Sequence, residues 1–284
     1  MPTTGCAQEG CAKSSSLYNS NATLPELEQL IVSAERGNAR QTWPPWGRHV
    51  WQTAKNGTLP SFYHERFSNW TSTWRELNPT YTYHLTGDRE NRDFVSQHYP
   101  WFLPTYDSYD ESIKRADAVR IFLLHHFGGV YADIDFRCLR PLDELFALPQ
   151  AATADVLLGQ LRAGPDARGG RSAIDSVPNA IMISRPRAPF WLHVMQELVR
   201  RVNVATAMFD TGPQVLHHVY QRLGKQHHVT LLPSAYLYPI DWMTPGWVGL
   251  AKWRRAYLGD EWYNRTNTTF AVTYWMHTYG HTSG

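Results

Sequence analysis

The stretch from Ile113 to Phe136, "IKRADAVRIFLLHHFGGVYADIDF", constrains the chain more than any other. Ala116, Val119, Leu123 and Phe127 recur at three- and four-residue steps, which predicts a helix, and the Gly128-Gly129 pair stops it. The alternation that follows predicts a buried strand with Tyr131, Asp133 and Asp135 on one side and Val130, Ala132 and Ile134 on the other. Two carboxylates side by side are costly unless water or a cation neutralises them, because like charges repel and desolvation penalises both. The pair therefore asks for a metal, against the plainer reading of a solvated strand end. One turn of helix separates Asp117 from Arg120, so both project from the same side of the feeding helix. Alone they read as a surface ion pair worth a few tenths of a kcal/mol.

Strands and helices alternate around this unit. "LPELEQLIVSAERGN" has helical periodicity through Leu27, Leu30 and Ile31, "RHVWQT" is a candidate first strand, "FYHERFSNWTSTWREL" a helix and "YTYHLT" a second strand. Further on, "ADVLLGQ" and "NAIMIS" read as strands, "APFWLHVMQELVRRV" as an amphipathic helix, and "TGPQVLHHVYQRL" as a helix opened by Gly-Pro. This order predicts an α/β fold: one sheet with helices on its faces and a ligand crevice at the carboxyl ends of the strands. A single domain over residues 25–284 is expected, preceded by a polar, flexible arm over residues 1–24. The loop "RAGPDARGGRS" reads as mobile, either a lid or an ordinary connection.

Composition narrows the classes of partner. A formal net charge of +2 without a long basic run gives no nucleic-acid footprint. The longest apolar runs fall far short of the ~20 residues that span a bilayer, and the first residues lack a signal-type apolar segment. Three cysteines exclude a disulfide framework or zinc-finger set: Cys6 and Cys11 can pair within the arm, and Cys138 reads as a small buried hydrophobe. Five Asn-x-Ser/Thr sequons, at Asn21, Asn56, Asn69, Asn264 and Asn267, point to a secretory route and a Golgi lumen. Twelve Trp and fifteen Tyr suit a sugar-facing surface and equally a core with polar handles.

Taken together, "YPWFLPTYDSYDESIKRADAVRIFLLHHFGGVYADIDFRCLRPLDEL" resembles the signature of glycosyltransferase family 32, and within it the inositol phosphorylceramide mannosyltransferases. The shared blocks are the Y-P-W-F-L run, the I-x-R-A-D-A-x-R helix and the G-G-V-Y-x-D-x-D strand, with "VWQTAKNGTLP", "NAIMIS" and "TGP" elsewhere. The likeness covers roughly residues 44–284, and the order of its motifs also resembles the glucosylating toxins of clostridia. It implies a GT-A type, Rossmann-like nucleotide-sugar fold and transfer with retention of configuration. By resemblance, Asp135 touches a manganese or magnesium ion, while Asp133 binds ribose or sugar and supports that ion. Asp117 and Arg120 hold donor-sugar hydroxyls, and Trp51 stacks on the nucleobase with Gln52 beside it; core packing is the rival reading for Trp51. Asn179 joins the donor site, against a turn-capping amide. In "MHTYGHTSG" the family's closing block has Trp where Gly284 stands, which leaves His277 or His281 as a further metal ligand and Ser283 on the diphosphate. His125 and His126 read as packing.

The expected reaction moves mannose from GDP-mannose to a lipid of the inositol phosphorylceramide type or to a glycan; UDP-galactose or UDP-N-acetylglucosamine is the alternative donor. A phosphatase with an Asp nucleophile is disfavoured, because its D-x-D opens the domain and is followed by Thr or Val, whereas here Phe136-Arg137 follows. A non-catalytic sugar binder has no need of the acidic pair.

Overall fold

The computed structural model describes residues 25–36, 45–61, 64–161, 176–239 and 268–275. The arm over 1–24 with Cys6 and Cys11, the loop over 162–172, and His277, His281 and Ser283 all lie outside these residues. So do the sequons at Asn21, Asn264 and Asn267.

In chain order, α1 (Pro25–Arg36) is followed by β1 (His49–Thr53), α2 (His64–Leu77), β2 (Thr82–Thr86), α3 (Asp88–His98), α4 (Leu103–Ser108) and α5 (Ser112–Phe127). Next come β3 (Gly129–Ala132), β4 (Phe136–Cys138), α6 (Leu142–Phe146), α7 (Pro149–Ala152), β5 (Val156–Gly159) and β6 (Ile181–Ser184). The chain then forms α8 (Phe190–Arg200), α9 (Ala207–Asp210), α10 (Pro213–Leu223), β7 (Val229–Leu232), α11 (Ser234–Leu237) and β8 (Ala271–Thr273). This is the α/β class that the alternation predicts.

The main sheet has six strands in the order β2-β1-β3-β6-β5-β7. β1 pairs in parallel with β2 and β3, and β5 in parallel with β7, whereas β6 runs antiparallel to both β3 and β5. The reversal of β6 has a direct consequence: its amino end, with Asn179 and Ala180 just before it, arrives at the same edge as the carboxyl ends of its neighbours. β4 and β8 form a separate two-stranded antiparallel pair beyond that edge.

The two faces of the sheet sort by the period of two. Trp51, Tyr131, Met182, Val156 and Leu158 pack with Phe122 of α5 and with Trp191, Met195 and Leu198 of α8. Val50, Val130, Ala132, Ile181, Ile183 and Leu157 pack on the other side with Trp74, Leu142, Leu145 and Phe270. α5 is buried along most of its length because it contacts the sheet, α3 and α8 at once.

Gly128 and Gly129 make the tight passage from α5 to β3. Their φ angles are 67° and 90°, the left-handed region that side chains rarely adopt. A Cβ at Gly129 would run into the His49 carbonyl oxygen, and one at Gly128 would lie 2.6 Å from Pro186 N. The short passage keeps β3 beside β1 and fixes where the following acidic residues emerge.

Candidate active site

β3 ends at Ala132, so the expected acidic strand is shorter than its alternation suggests. Asp133 N–H donates to Ala180 O at 2.8 Å, and Phe136 N–H donates back to Asp133 O at 3.0 Å. Asp133, Ile134 and Asp135 therefore form a turn between β3 and β4. The two carboxylates do not share a strand face; the turn presents them, because β6 begins at Ile181, opposite Ala132, and offers no ladder beyond it.

Arg120 organises the site from α5. Its guanidinium lies 3.0 Å from Asp117 Oδ1 and 3.2 Å from Asp133 Oδ1, donates to Asn179 O at 2.9 Å and to Ala116 O at 3.3 Å, and sits over the Tyr131 ring at 4.6 Å. Asp117 in turn accepts from Asn179 Nδ2 at 2.9 Å and from the Thr211 hydroxyl at 3.2 Å. The side chains of Arg120 and Asp117 are 3% and 7% exposed, so the surface-pair reading does not describe them. In the interior such a pair is costly unless hydrogen bonds complete it, and here four partners do so.

The same network sets protonation. Burial raises the Asp117 pKa from 3.8 to about 6, opposed by Arg120, with the Asp133 charge adding to the rise. Burial also raises the pKa of Asp133, opposed by Arg120 and by the Tyr131 hydroxyl. That hydroxyl donates to Asp133 Oδ1 at 2.9 Å and lies 3.0 Å from Thr53 Oγ1.

Asp133 remains 34% exposed at its side chain, the openness expected of a group that meets a ligand. Asp135 is 8% exposed, and it is tied to the β4–β8 pair: Thr273 Oγ1 donates to its Oδ2 at 3.3 Å and Tyr274 N–H to its carbonyl at 3.1 Å. Two carboxylates on one turn offer hard oxygen ligands, and Asp133 Oδ2 has no hydrogen-bond partner among the described residues. This donor set fits Mg2+ or Mn2+.

Two residues expected at the donor site are buried. Trp51 is 5% exposed: its ring stacks on His84 at 3.8 Å, lies 5.1 Å from Phe127, and donates Nε1–H to Gly128 O at 3.1 Å. These contacts place the ring in the buried apolar cluster on this face of the sheet. Gln52 is fully buried, its amide donating to Asp133 O at 2.9 Å and accepting from the Tyr83 hydroxyl at 2.7 Å. It holds the acidic turn and touches no open space.

Asn179 is 7% exposed, with its amide on Asp117 and its carbonyl on Arg120. Thr211 and Tyr131 belong to the network without having been singled out from sequence. The signal for Thr211 was present in "TGP", which opens α10, and for Tyr131 in the shared parity of Tyr131 and Asp133. Cys138 is buried and free, as its reading as a small hydrophobe requires. His125 is buried with Nδ1 2.8 Å from the Tyr99 hydroxyl, and burial lowers its pKa to about 3, so it packs as a neutral ring.

Residues 64–152 match the model of the glycosyltransferase sugar-binding region containing a DXD motif. The chain is 33% identical over 197 residues to mannosyl phosphorylinositol ceramide synthase SUR1 of Saccharomyces cerevisiae, covering 66% of this chain and 46% of that protein. It is 31% identical over 199 residues to inositol phosphoceramide mannosyltransferase 3 of Schizosaccharomyces pombe, covering 66% and 50%. Initiation-specific alpha-1,6-mannosyltransferase of Candida albicans is 33% identical over 129 residues, covering 44% and 34%. The chain thus spans half or less of the length of these relatives. Among solved structures, mouse xyloside xylosyltransferase 1 gives a TM-score of 0.44 at 10% identity, covering 79% of this chain and 96% of that one. No helix among the described residues is long and apolar enough to cross a membrane.

Proposed function

From the match of residues 64–152 to the DXD-containing glycosyltransferase region, we propose that the chain transfers mannose from GDP-mannose, with retention, to a lipid of the inositol phosphorylceramide type. The observation that carries this reading is the Asp117–Arg120–Asp133 network, which sets a fixed positive charge beside the acidic turn at the carboxyl ends of the strands. The names of the relatives support mannose and a ceramide-based acceptor. Two large apolar side chains on α9, Met208 and Phe209, are 49% and 50% exposed, two residues before Thr211 at the nearer. They suit a lipid acceptor better than a free glycan. The sequons Asn56 and Asn69 are both exposed, in keeping with a secretory lumen.

Asp133 and Asp135 would hold a divalent cation, which supplies positive charge to the departing diphosphate. The protein's own part is positioning. Arg120 is held on five sides and needs no reorganisation when charge develops near it, the condition under which a fixed dipole or cation contributes most. Asp117 accepts hydroxyls of the donor sugar. Both of its oxygens already accept hydrogen bonds, which suits a carboxylate that orients a sugar and not one that must form a covalent bond to it. By the family resemblance, the reaction would take the front-face route, in which the leaving phosphate assists deprotonation of the acceptor. Gln52 and Tyr131 hold Asp133 in register with Arg120.

Asp135→Asn tests the reading. Asn keeps the shape and the hydrogen bond from Thr273 but removes one charged ligand, so nucleotide release from the donor should fall ~10²–10³-fold with the melting temperature nearly unchanged. A folded Asp135→Asn protein with near-normal turnover overturns the metal assignment.

A further inference from the structure

Three side chains with metal-binding chemistry meet far from the acidic turn. Glu35 lies in the last turn of α1, His193 in the first turn of α8, and His227 in the turn between α10 and β7. One ligand atom from each lies within 4.8 Å of the others. His193 Nε2 is 3.7 Å from Glu35 Oε1, and the two imidazole rings are 4.7 Å apart, tilted by 40°. His227 is 2% exposed. Its Nδ1 and Nε2, and His193 Nε2, are buried without a hydrogen-bond partner among the described residues.

That arrangement needs an explanation. A buried imidazole nitrogen that has lost water and gained no partner is destabilising, and here three lie together. Neutral imidazoles beside a carboxylate are, however, the donor set that zinc and similar ions take. Tetrahedral bonds of about 2.1 Å place neighbouring ligand atoms about 3.4 Å apart, and the His193–Glu35 pair already stands at 3.7 Å.

We propose that Glu35, His193 and His227 bind one zinc-class divalent ion, distinct from the ion of the acidic turn, with water completing the shell. The ion cross-links α1 to α8 and to the α10–β7 turn. α1 otherwise rests on the core through Leu27, Ile31 and Ala34, so the ion is a clamp for this helix. The two sites differ in chemistry: oxygen-only ligands at the turn favour magnesium or manganese, and imidazole favours zinc.

The test uses the untagged chain carrying Asp135→Asn, so that the acidic turn does not obscure the count. After chelation and dialysis against micromolar zinc chloride, one zinc per chain should be retained and the melting temperature should rise with zinc. Adding His193→Gln should abolish both. Adding Glu35→Gln, at a 44% exposed position where folding is not at stake, should weaken zinc binding at least tenfold. Cobalt in place of zinc should give a visible absorption band that both substitutions remove. Failure of the Asp135→Asn chain to retain zinc, or equal retention after Glu35→Gln, overturns the proposal.

Discussion

Trp51→Ala distinguishes a core ring from a nucleobase platform. The ring is 5% exposed, stacked on His84 at 3.8 Å, and its Nε1–H satisfies Gly128 O. Truncating a buried Trp to Ala costs ~3–5 kcal/mol, and the carbonyl left without a donor adds ~1 kcal/mol. For a chain of this size each kcal/mol corresponds to a fall of ~2–4 °C in melting temperature. The expected drop is therefore ~8–24 °C, with Trp51→Phe losing about half as much because it keeps the stack and loses only the N–H and part of the volume. Thermal unfolding by circular dichroism reads the first quantity. Titration of GDP into folded Trp51→Phe, well below its transition, reads the second and should give a Kd within ~2-fold of the parent. A Trp51→Ala protein that melts with the parent but binds nucleotide tenfold more weakly would refute the reasoning, since base stacking on an open ring contributes ~1–3 kcal/mol.

Arg120→Lys keeps the charge but loses the fork that spans Asp117, Asp133 and Asn179 O; mannosyl transfer should fall at least tenfold while affinity for bare GDP changes little, by paired kinetic and calorimetric measurements. Equal losses in both would remove Arg120 from the sugar. Asp117, at about 6, gives kcat/KM an acid limb near pH 6; Asn179→Ala removes a hydrogen bond to the ionised form, so the limb should move to higher pH. A limb that stays or moves down contradicts this. For stability the sign is opposite: with a folded pKa above the unfolded 3.8, the contribution of Asp117 is complete below pH ~4 and is lost as pH rises through about 6.

Periodicity made α5 and α8 legible, because both carry apolar residues at helical steps, and the Gly128-Gly129 pair marked the boundary that the positive φ angles require. The acidic strand was misread for an instructive reason. V-Y-A-D-I-D keeps a period of two through Asp135, but the ladder stops where β6 begins, and that neighbour arrives antiparallel from some 50 residues later. Periodicity within a segment says nothing of where its partner stops. The same limit hid the support of Asp135, which depends on β8 pairing with β4 across more than 130 residues. Trp51 and Gln52 stand near the carboxyl end of β1, but their burial depends on His84, Tyr83 and Phe127, which only the folded sheet brings alongside. The i,i+3 spacing of Asp117 and Arg120 was readable; their burial was set by α9 and the residues before β6 closing over them.

The most direct measurement is a donor screen by nucleotide release, run with manganese and repeated with the metal chelated. The expected result is release of GDP from GDP-mannose above all other nucleotide sugars, abolished by chelation and restored by manganese or magnesium. Preference for a UDP-sugar would contradict the mannose assignment, and release indifferent to chelation would contradict the role given to Asp133 and Asp135.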